Sequence, residues 1–588
     1  MDNYIYSFDI FDTCLIRTCG SSECVWDILA HNVLGTSANS SLINDFILIR
    51  RSGEGQARKN LISDSKEDVT IDDIYSYCDF SPLTKRSNQD IMEAEIEVEN
   101  KVLVPVLSTL HEISQLHQEG KHVVFISDMY LPYEFVQKKL KDVGLLHHED
   151  KLFISGDVGK AKSTGHLYDY VCHELQADFK KWKHQGDNQH SDYDIPRKKG
   201  IHAILVNHAK SYYEHKALEN VNGLSSSDMY KISSISRAIR LGFENTPKHL
   251  FAADFIAPMM TTFVHHIFID ASKRGIKHLY FVARDACILY HIAQQFSHIY
   301  PDISIHYLYA SRKSLYLPGL KNYSFDELHK IDSEVENSDA LREQYEEQCL
   351  LTIGYFRQEG LTRPNCAIVD MVGGRRCQKS INTILSRNGY KEIYAYYYEV
   401  VPYRIMACDE YSAMFYQERM GGSPYYHHAS HPLFEQYFGI TDQLRTISYR
   451  KEGQSIIPVF ENDLVNIEYK QSVFNINRHV CCAFAGHYVN SFITSPQQCN
   501  HLLYAVFAQF CHVPRREYLK ALYQFFSTSS SSTKEPLLEK RSILSLLFNK
   551  SHYVRWKNGN LIFNSGILYY PILSLLQMYY NRKKRKSV

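Results

Sequence analysis

The 588-residue sequence predicts an α/β protein: a parallel-sheet domain interrupted by a helical insert, a second parallel-sheet domain, and a mainly helical C-terminal region. Three observations predict it. The apolar stretch Tyr4-Ile5-Tyr6-Ser7-Phe8 runs directly into Asp9 and then a short polar turn. From Lys121 to Val206, short apolar runs alternate with helical periods, the pattern of parallel strands joined by crossover helices. A second series of apolar runs, between Leu279 and Tyr397, ends repeatedly in charged residues. The length agrees, because one ordinary core does not organise a chain of this size.

In chain order, the strand ending at Phe8 is followed by helical spacing of apolar residues in Cys24–Leu29 and Phe46–Arg50. Thr70 reads as an N-cap with Asp73 three residues on, an acidic capping box. The acidic run Glu93–Glu99 leads into a helix ending near His117, so the insert is expected at about 18–118. Arg51, Glu54 and Arg58 share a helix face, either as a solvated ion-pair row or as ligand contacts. Strands are then expected up to Ile126, over Leu152–Ile154, near Lys183 and over Ala203–Val206. Residues 1–209 make the first domain, and 210–238, with Gly223-Leu224-Ser225-Ser226-Ser227, read as a linker. The second domain, 239–462, has strands at Leu279–Ala283, Ile305–Tyr309, Ala367–Asp370 and Glu392–Tyr397. Residues 463–588 hold helical runs and a serine tract, Ser527–Ser532.

Composition excludes some classes. Lys plus Arg and Asp plus Glu both number 65, so no global basic field draws the chain to nucleic acid. The 14 cysteines form no CxxC pair and no zinc-like cluster, as in a reducing compartment. No signal-peptide pattern and no apolar run of membrane-spanning length are read, so a cytoplasmic protein is expected. The apolar segment Gly566–Leu576 precedes the basic cluster Arg582–Lys586. That pairing suits peripheral contact with an anionic membrane, or a docked helix with a frayed basic tail.

The chemistry lies at the strand ends. A carboxylate at the carboxyl end of a buried parallel strand sits where open α/β sheets place their ligands. Asp9, then Ser127 closing Val123–Ser127, then Lys162, then Gly186-Asp187-Asn188 with Asp192 follow one another in the chain. In order and spacing they resemble the four signatures of the haloacid dehalogenase (HAD) superfamily. Most of its members are magnesium-dependent phosphatases that form an aspartyl-phosphate. The resemblance implies a HAD-like Rossmannoid sheet with the insert as a cap, Mg2+ as cofactor and a small phosphorylated substrate. It makes Asp9 nucleophile and first metal ligand, Ser127 a donor to a phosphate oxygen, and Lys162 the cation that neutralises developing charge. Asp187, with Asn188 or Asp192, would hold the metal. Thr13 and Asp128, beside the first two motifs, are further ligand-binding candidates. One position departs from the phosphatase pattern. The usual second Asp, two residues after the first, is Phe11, which cannot move a proton in a role worth roughly 10²–10⁴-fold.

Phe281-Val282-Ala283-Arg284-Asp285, Ser311-Arg312 and Val369-Asp370-Met371-Val372-Gly373-Gly374-Arg375 extend the likeness over most of 1–460. They are similar to the second, Rossmann-like half of large two-part HAD-like proteins of bacterial surface-polysaccharide gene clusters. This resemblance implies a hydrolase or phosphotransferase acting on a phosphorylated sugar or polyol intermediate of that assembly. A catalytically weak phosphate- or nucleotide-sugar-binding scaffold is the alternative. Arg284, Asp285, Arg312, Asp370 and Arg375 are candidates for a second ligand site, against a glycine turn with surface arginines.

Overall fold

The computed structural model describes residues 4–35, 38–63, 65–206, 208, 211–219, 225–320, 339–373, 375–400, 410–416, 433–462, 467–523, 526–528, 534–548 and 556–586. Gly223, Leu224, Gly374, Asp463 and most of the serine tract lie outside the described residues. The chain forms two compact units, Met1–Asn245 with Asn490–Thr494, and Thr246–Val489 with Ser495–Val588.

The first unit is built on β1 (Ile5–Phe8), β4 (Val123–Ser127), β5 (Lys151–Ile154), β6 (Trp182–Gly186) and β7 (His202–Leu205), with the ribbon strands β2 (Leu15–Arg17) and β3 (Leu103–Pro105) set apart. The five form one parallel sheet in the order β5-β4-β1-β6-β7. β1 is central, with Phe8 placed between Phe125 and Gln185 and Ser7 the one polar residue among its four. The strand expected near Lys183 is β6, poorly apolar in sequence, and its polar His184 and Gln185 are buried in the sheet.

The antiparallel ribbon β2–β3 is the stem of the helical insert. It bounds four helices, Ser22–Leu34, Ser40–Leu61, Ile71–Tyr75 and Asn88–Val102. The expected insert therefore ends early: Leu107–Gln118 buries Ile113 and Leu116 in the sheet core and feeds β4. The capping box at Thr70 and Asp73 is present as read. Arg51 pairs with Glu23, while Arg58 pairs with Glu54 and Asp68, so this helix face is an ion-pair row. Its neighbour Arg50 is wholly buried, with Nε and a terminal nitrogen on Glu95 at 2.7 and 2.8 Å. The rings of Trp26, Tyr75 and Tyr130 surround that guanidinium. Breaking such a pair by removing one partner costs about 3–5 kcal/mol, so it locks the insert's helices to one another.

The stretch read as a linker is corrected by two helices of the first unit, Tyr212–Leu218 and Ser225–Gly242. Met229, Ile232, Ile235 and Ile239 are buried at three- and four-residue spacing, an apolar stripe that the surrounding serines obscure.

In the second unit, β8 (His278–Val282), β9 (Ser304–Leu308), β10 (Cys366–Gly373), β11 (Tyr394–Val400) and β12 (Tyr411–Tyr416) form a parallel sheet in the order β12-β11-β10-β8-β9. A hairpin, β13 (Thr446–Glu452) with β14 (Ser455–Phe460), follows. The helices Ile467–Tyr488 and Pro496–His512 then begin the helical remainder. Among the described residues, one helix, Pro247–Arg274, has the length and apolarity to cross a membrane, and 83% of its apolar window is buried inside the protein.

Candidate active site

The site of the first unit forms where its sheet reverses strand order. Counting strands in chain order, the sheet reads 3-2-1-4-5, so the crevice opens between the carboxyl ends of β1 and β6. Asp9 leaves β1 at that point, with its backbone N–H donating to Gln185 O at 2.8 Å. The chain then turns through Asp12, held in the left-handed region at φ 58°, before entering β2. From β6, Gly186 leads to Asp187 and to the turn that returns Asp192. A Cβ at Gly186 would lie 2.4 Å from Asp192 Cγ, so only glycine admits this carboxylate.

Lys162 joins the two edges. Its buried Nζ donates to Asp9 Oδ1 and to Asp192 Oδ1, each at 2.6 Å. Its backbone N–H donates to Asp128 Oδ1 at 2.7 Å, which gives Asp128 the task of positioning the lysine. Ser127 Oγ lies 3.4 Å from Asp9 Oδ1, a long contact at the end of β4. Thr13 is fully buried, and its Oγ1 has no hydrogen-bond partner among the described residues.

Oxygens of Asp9, Asp187 and Asp192 all lie within 4.8 Å of one another. Asn188 lies beside this group, its backbone N–H donating to Asp192 Oδ2 at 3.1 Å. Its Oδ1 accepts the backbone N–H groups of His190 and Ser191 at 2.9 and 3.0 Å and so caps the turn that carries Asp192.

Three carboxylates share one ammonium, and their ionisation shows the shortage. Burial pushes Asp9 up to about 8 against the pull of Lys162, with Asp192 and Asp187 adding to the rise. Asp187 is raised to about 6 by burial and by Asp12 and Asp192. Burial opposes ionisation of Asp192 too, yet Lys162 and His184 outweigh it and hold this carboxyl below its usual value. Burial pulls Lys162 down, and Asp9 with Asp192 overcomes it, so the amine stays charged. Closely spaced hard oxygen donors with negative charge in excess fit a divalent cation of the magnesium or calcium type.

A supporting chain was missed in the sequence. Trp182 Nε1 donates to Ser7 Oγ at 2.7 Å, and Ser7 Oγ lies 2.7 Å from His184 Nδ1. His184 Nε2 lies 3.2 Å from Asp192 Oδ1. Burial lowers the His184 pKa, so a neutral ring with its proton on Nε2 satisfies every member. The available signal was a polar residue in mid-strand on both central strands: Ser7 and His184 are register partners.

Phe11 is buried in the apolar core of this unit, with the Arg17 guanidinium 5.0 Å from its ring centroid. Arg17 in turn grips Glu99 through two nitrogens at 2.9 Å. Arg284, Asp285, Arg312, Asp370 and Arg375 belong to the second unit, at the carboxyl edge of its sheet.

No family model matches the chain, and no curated protein does. Solved structures similar to it include a dehalogenase, at 14% identity and TM-score 0.26, covering 36% of this chain and 88% of that one. A magnesium-bound HAD-hydrolase, YfnB from Bacillus subtilis, has 15% identity and TM-score 0.27, covering 35% and 91%. A HAD phosphatase from Thermococcus onnurineus has 16% identity and TM-score 0.24, covering 40% and 97%.

Proposed function

We propose that the first unit is a HAD-like, magnesium-dependent hydrolase or phosphotransferase that acts on a phosphate ester through Asp9. One observation carries this reading: Asp9, Ser127, Lys162, Asp187 and Asp192, spread over more than 180 residues, meet at one strand-order reversal. Asp9, Asp187 and Asp192 would hold Mg2+, which supplies positive charge to the phosphate oxygens when bound. Lys162 fixes Asp9 Oδ1 and leaves Oδ2 as the oxygen that attacks phosphorus. Attack forms the Asp9–phosphorus bond as the bond to the leaving oxygen breaks, that oxygen taking a proton from water. Water or an acceptor hydroxyl then attacks phosphorus, gives up its proton to solvent and breaks the bond to Asp9, while Lys162 with Ser127 steadies the charge of the transferring group in both steps. The His184–Ser7–Trp182 chain keeps Asp192 ionised and in place.

The substrate proposed is a phosphorylated sugar or polyol intermediate of surface-polysaccharide assembly, on the strength of the motif resemblance along residues 1–460. The burial of Phe11 under Arg17 supports a second reading, a phosphate-binding scaffold of that assembly with slow turnover. Release of inorganic phosphate from a panel of sugar and polyol phosphates, with MgCl2 and with EDTA, separates the two. Magnesium-dependent release that is lost in Asp9→Asn supports the enzyme. Phosphate-ester binding without release in wild type supports the scaffold.

A further inference from the structure

The second unit has its own strand-order reversal. Counted in chain order its sheet reads 2-1-3-4-5, and the switch falls between β8 and β10. In open parallel sheets the crevice outside the carboxyl ends at such a switch is where ligands bind. The loop leaving β8 carries Arg284 and Asp285, and the end of β10 and its following turn carry Asp370 and Arg375. Arg312 opens the helix after the neighbouring β9. Two of these residues are held in the left-handed region, Arg284 at φ 73° and Arg375 at φ 61°, where a non-glycine side chain is strained.

Local contacts hold the two strained loops. Arg375 is buried with its guanidinium 4.2 Å from the Tyr411 ring centroid. The Arg284 N–H donates to Tyr307 Oη at 2.9 Å, and Tyr307 donates to Gln443 at 2.5 Å, which fixes the loop backbone. Arg284 Nε is buried without a hydrogen-bond partner among the described residues. Asp370, Asp285 and Arg312 each lie close enough to the buried Cys377 thiol to act on it, the two carboxylates raising its pKa against the arginine after burial itself.

We propose that this edge is a second ligand site, and that it takes a phosphorylated polyhydroxy compound of the sugar-phosphate class. Arginine forks match phosphate oxygens, and carboxylates accept from hydroxyls. A site for a bare anion gains nothing from two carboxylates, and a cation site is opposed by three arginines. The mixture fits a ligand that is anionic at one end and hydroxylated at the other.

The test is calorimetry in EDTA on the full chain carrying Asp9→Asn and Ser127→Ala, which disable the first site and keep Lys162 between its partners. The probes are glucose 1-phosphate, inorganic phosphate and glucose. Saturable binding of glucose 1-phosphate is expected, with inorganic phosphate weaker and glucose weaker still. Arg284→Gly suits the left-handed backbone and is expected to keep the melting temperature, while Arg375→Gly relieves the same strain but empties a buried place against Tyr411 and is read only if it still melts cooperatively. Each is expected to weaken both phosphates by about 10-fold or more. Asp370→Asn is expected to weaken glucose 1-phosphate and spare inorganic phosphate. Absence of saturable binding, or binding that well-folded arginine variants leave unchanged, overturns the proposal. Equal affinity for the two phosphates overturns the sugar part of it.

An independent observation lies on the last helix described, Tyr569–Lys586. Leu573 and Tyr580 dock it, yet Tyr570, Leu575, Met578 and Tyr579 are 58–76% exposed. The exposed apolar stripe runs into Arg582 and Arg585, and Lys583, Lys584 and Lys586 add charge to the same segment. We infer that this helix lies on an anionic lipid surface, because an exposed apolar face continuous with basic charge complements both acyl chains and headgroups. Co-sedimentation with phosphatidylcholine vesicles containing phosphatidylserine is expected, and little with phosphatidylcholine alone. Leu575→Ser with Met578→Ser should reduce it several-fold at unchanged melting temperature. Failure to sediment with the anionic vesicles overturns the inference. So does a dimer in solution that the same double variant dissociates, since a second copy then covers the face.

Discussion

The two parallel sheets use one topological device for opposite charges. At the first switch, between β1 and β6, three carboxylates converge on Lys162 and leave negative charge over. At the second, between β8 and β10, arginines share the edge with Asp285 and Asp370. Strain falls at the same place in both: Asp12 follows β1, Arg284 follows β8 and Arg375 follows β10, all at positive φ. On the two proposals above, the fold sets where a ligand would go and the side chains which charge it would carry.

The largest expected effect breaks the first half of that comparison. Asp9→Asn keeps the shape and the contact with Lys162 but removes the nucleophile, so magnesium-dependent phosphate release should fall by more than about 10³-fold at a preserved melting temperature. Release within a few-fold of wild type would move the chemistry away from β1. Lys162→Met tests the charge balance itself. It leaves Asp9 and Asp192 buried without their shared cation, and a loss of about 3–5 kcal/mol is expected in urea unfolding without metal. A loss under about 1 kcal/mol would mean that the lysine does not hold the edges together.

Sequence and structure agree best where function is local. Asp9, Ser127, Lys162, Asp187 and Asp192 could be read because each lies at or just past a strand end or turn, and strand ends are visible in one dimension. The capping role of Asn188 was not legible, because only the folded turn shows that its oxygen accepts two backbone N–H groups. Ser7–His184 and Arg50–Glu95 are set by register and by helix packing across 177 and 45 residues, and no local pattern announces them. The helix Ser225–Gly242 was hidden because serine is its commonest residue while its buried apolar residues, Met229, Ile232, Ile235, Ala238 and Ile239, determine its structure.

Metal and pH sharpen the comparison further. Asp9 titrates near 3.8 when exposed and is raised to about 8 in the fold, so between these values the native chain holds a proton that the unfolded chain has released. This group's contribution to stability is therefore present below that window and declines as pH rises through it. A divalent cation binds the ionised form and offsets the decline. The increase in melting temperature on adding excess MgCl2 should thus be larger at pH 8 than at pH 6, and Asp187→Ala should reduce it. An equal increase at both values, measured by differential scanning fluorimetry, would detach the metal from these carboxylates.

The smallest expected effect concerns Phe11. If leaving-group protonation limits the rate, a carboxylate two residues beyond Asp9 should help, and such help is worth roughly 10²-fold or more when the acid is well placed. Here it would be poorly placed. Phe11 is packed in the core beneath Arg17, and a new carboxylate there would meet that guanidinium, which favours the ionised form and spoils it as an acid. Phe11→Asp should accordingly raise hydrolysis of alkyl phosphates by less than about 10-fold and leave aryl phosphates unchanged, because aryl leaving groups depart without a proton. The same substitution removes a buried ring, so a lower melting temperature is expected, and rates must be compared below it. A gain on alkyl phosphates alone would identify proton transfer as the function this first site lacks. A folded variant with no gain would place the proton source on the insert or the substrate, or leave the site a binder.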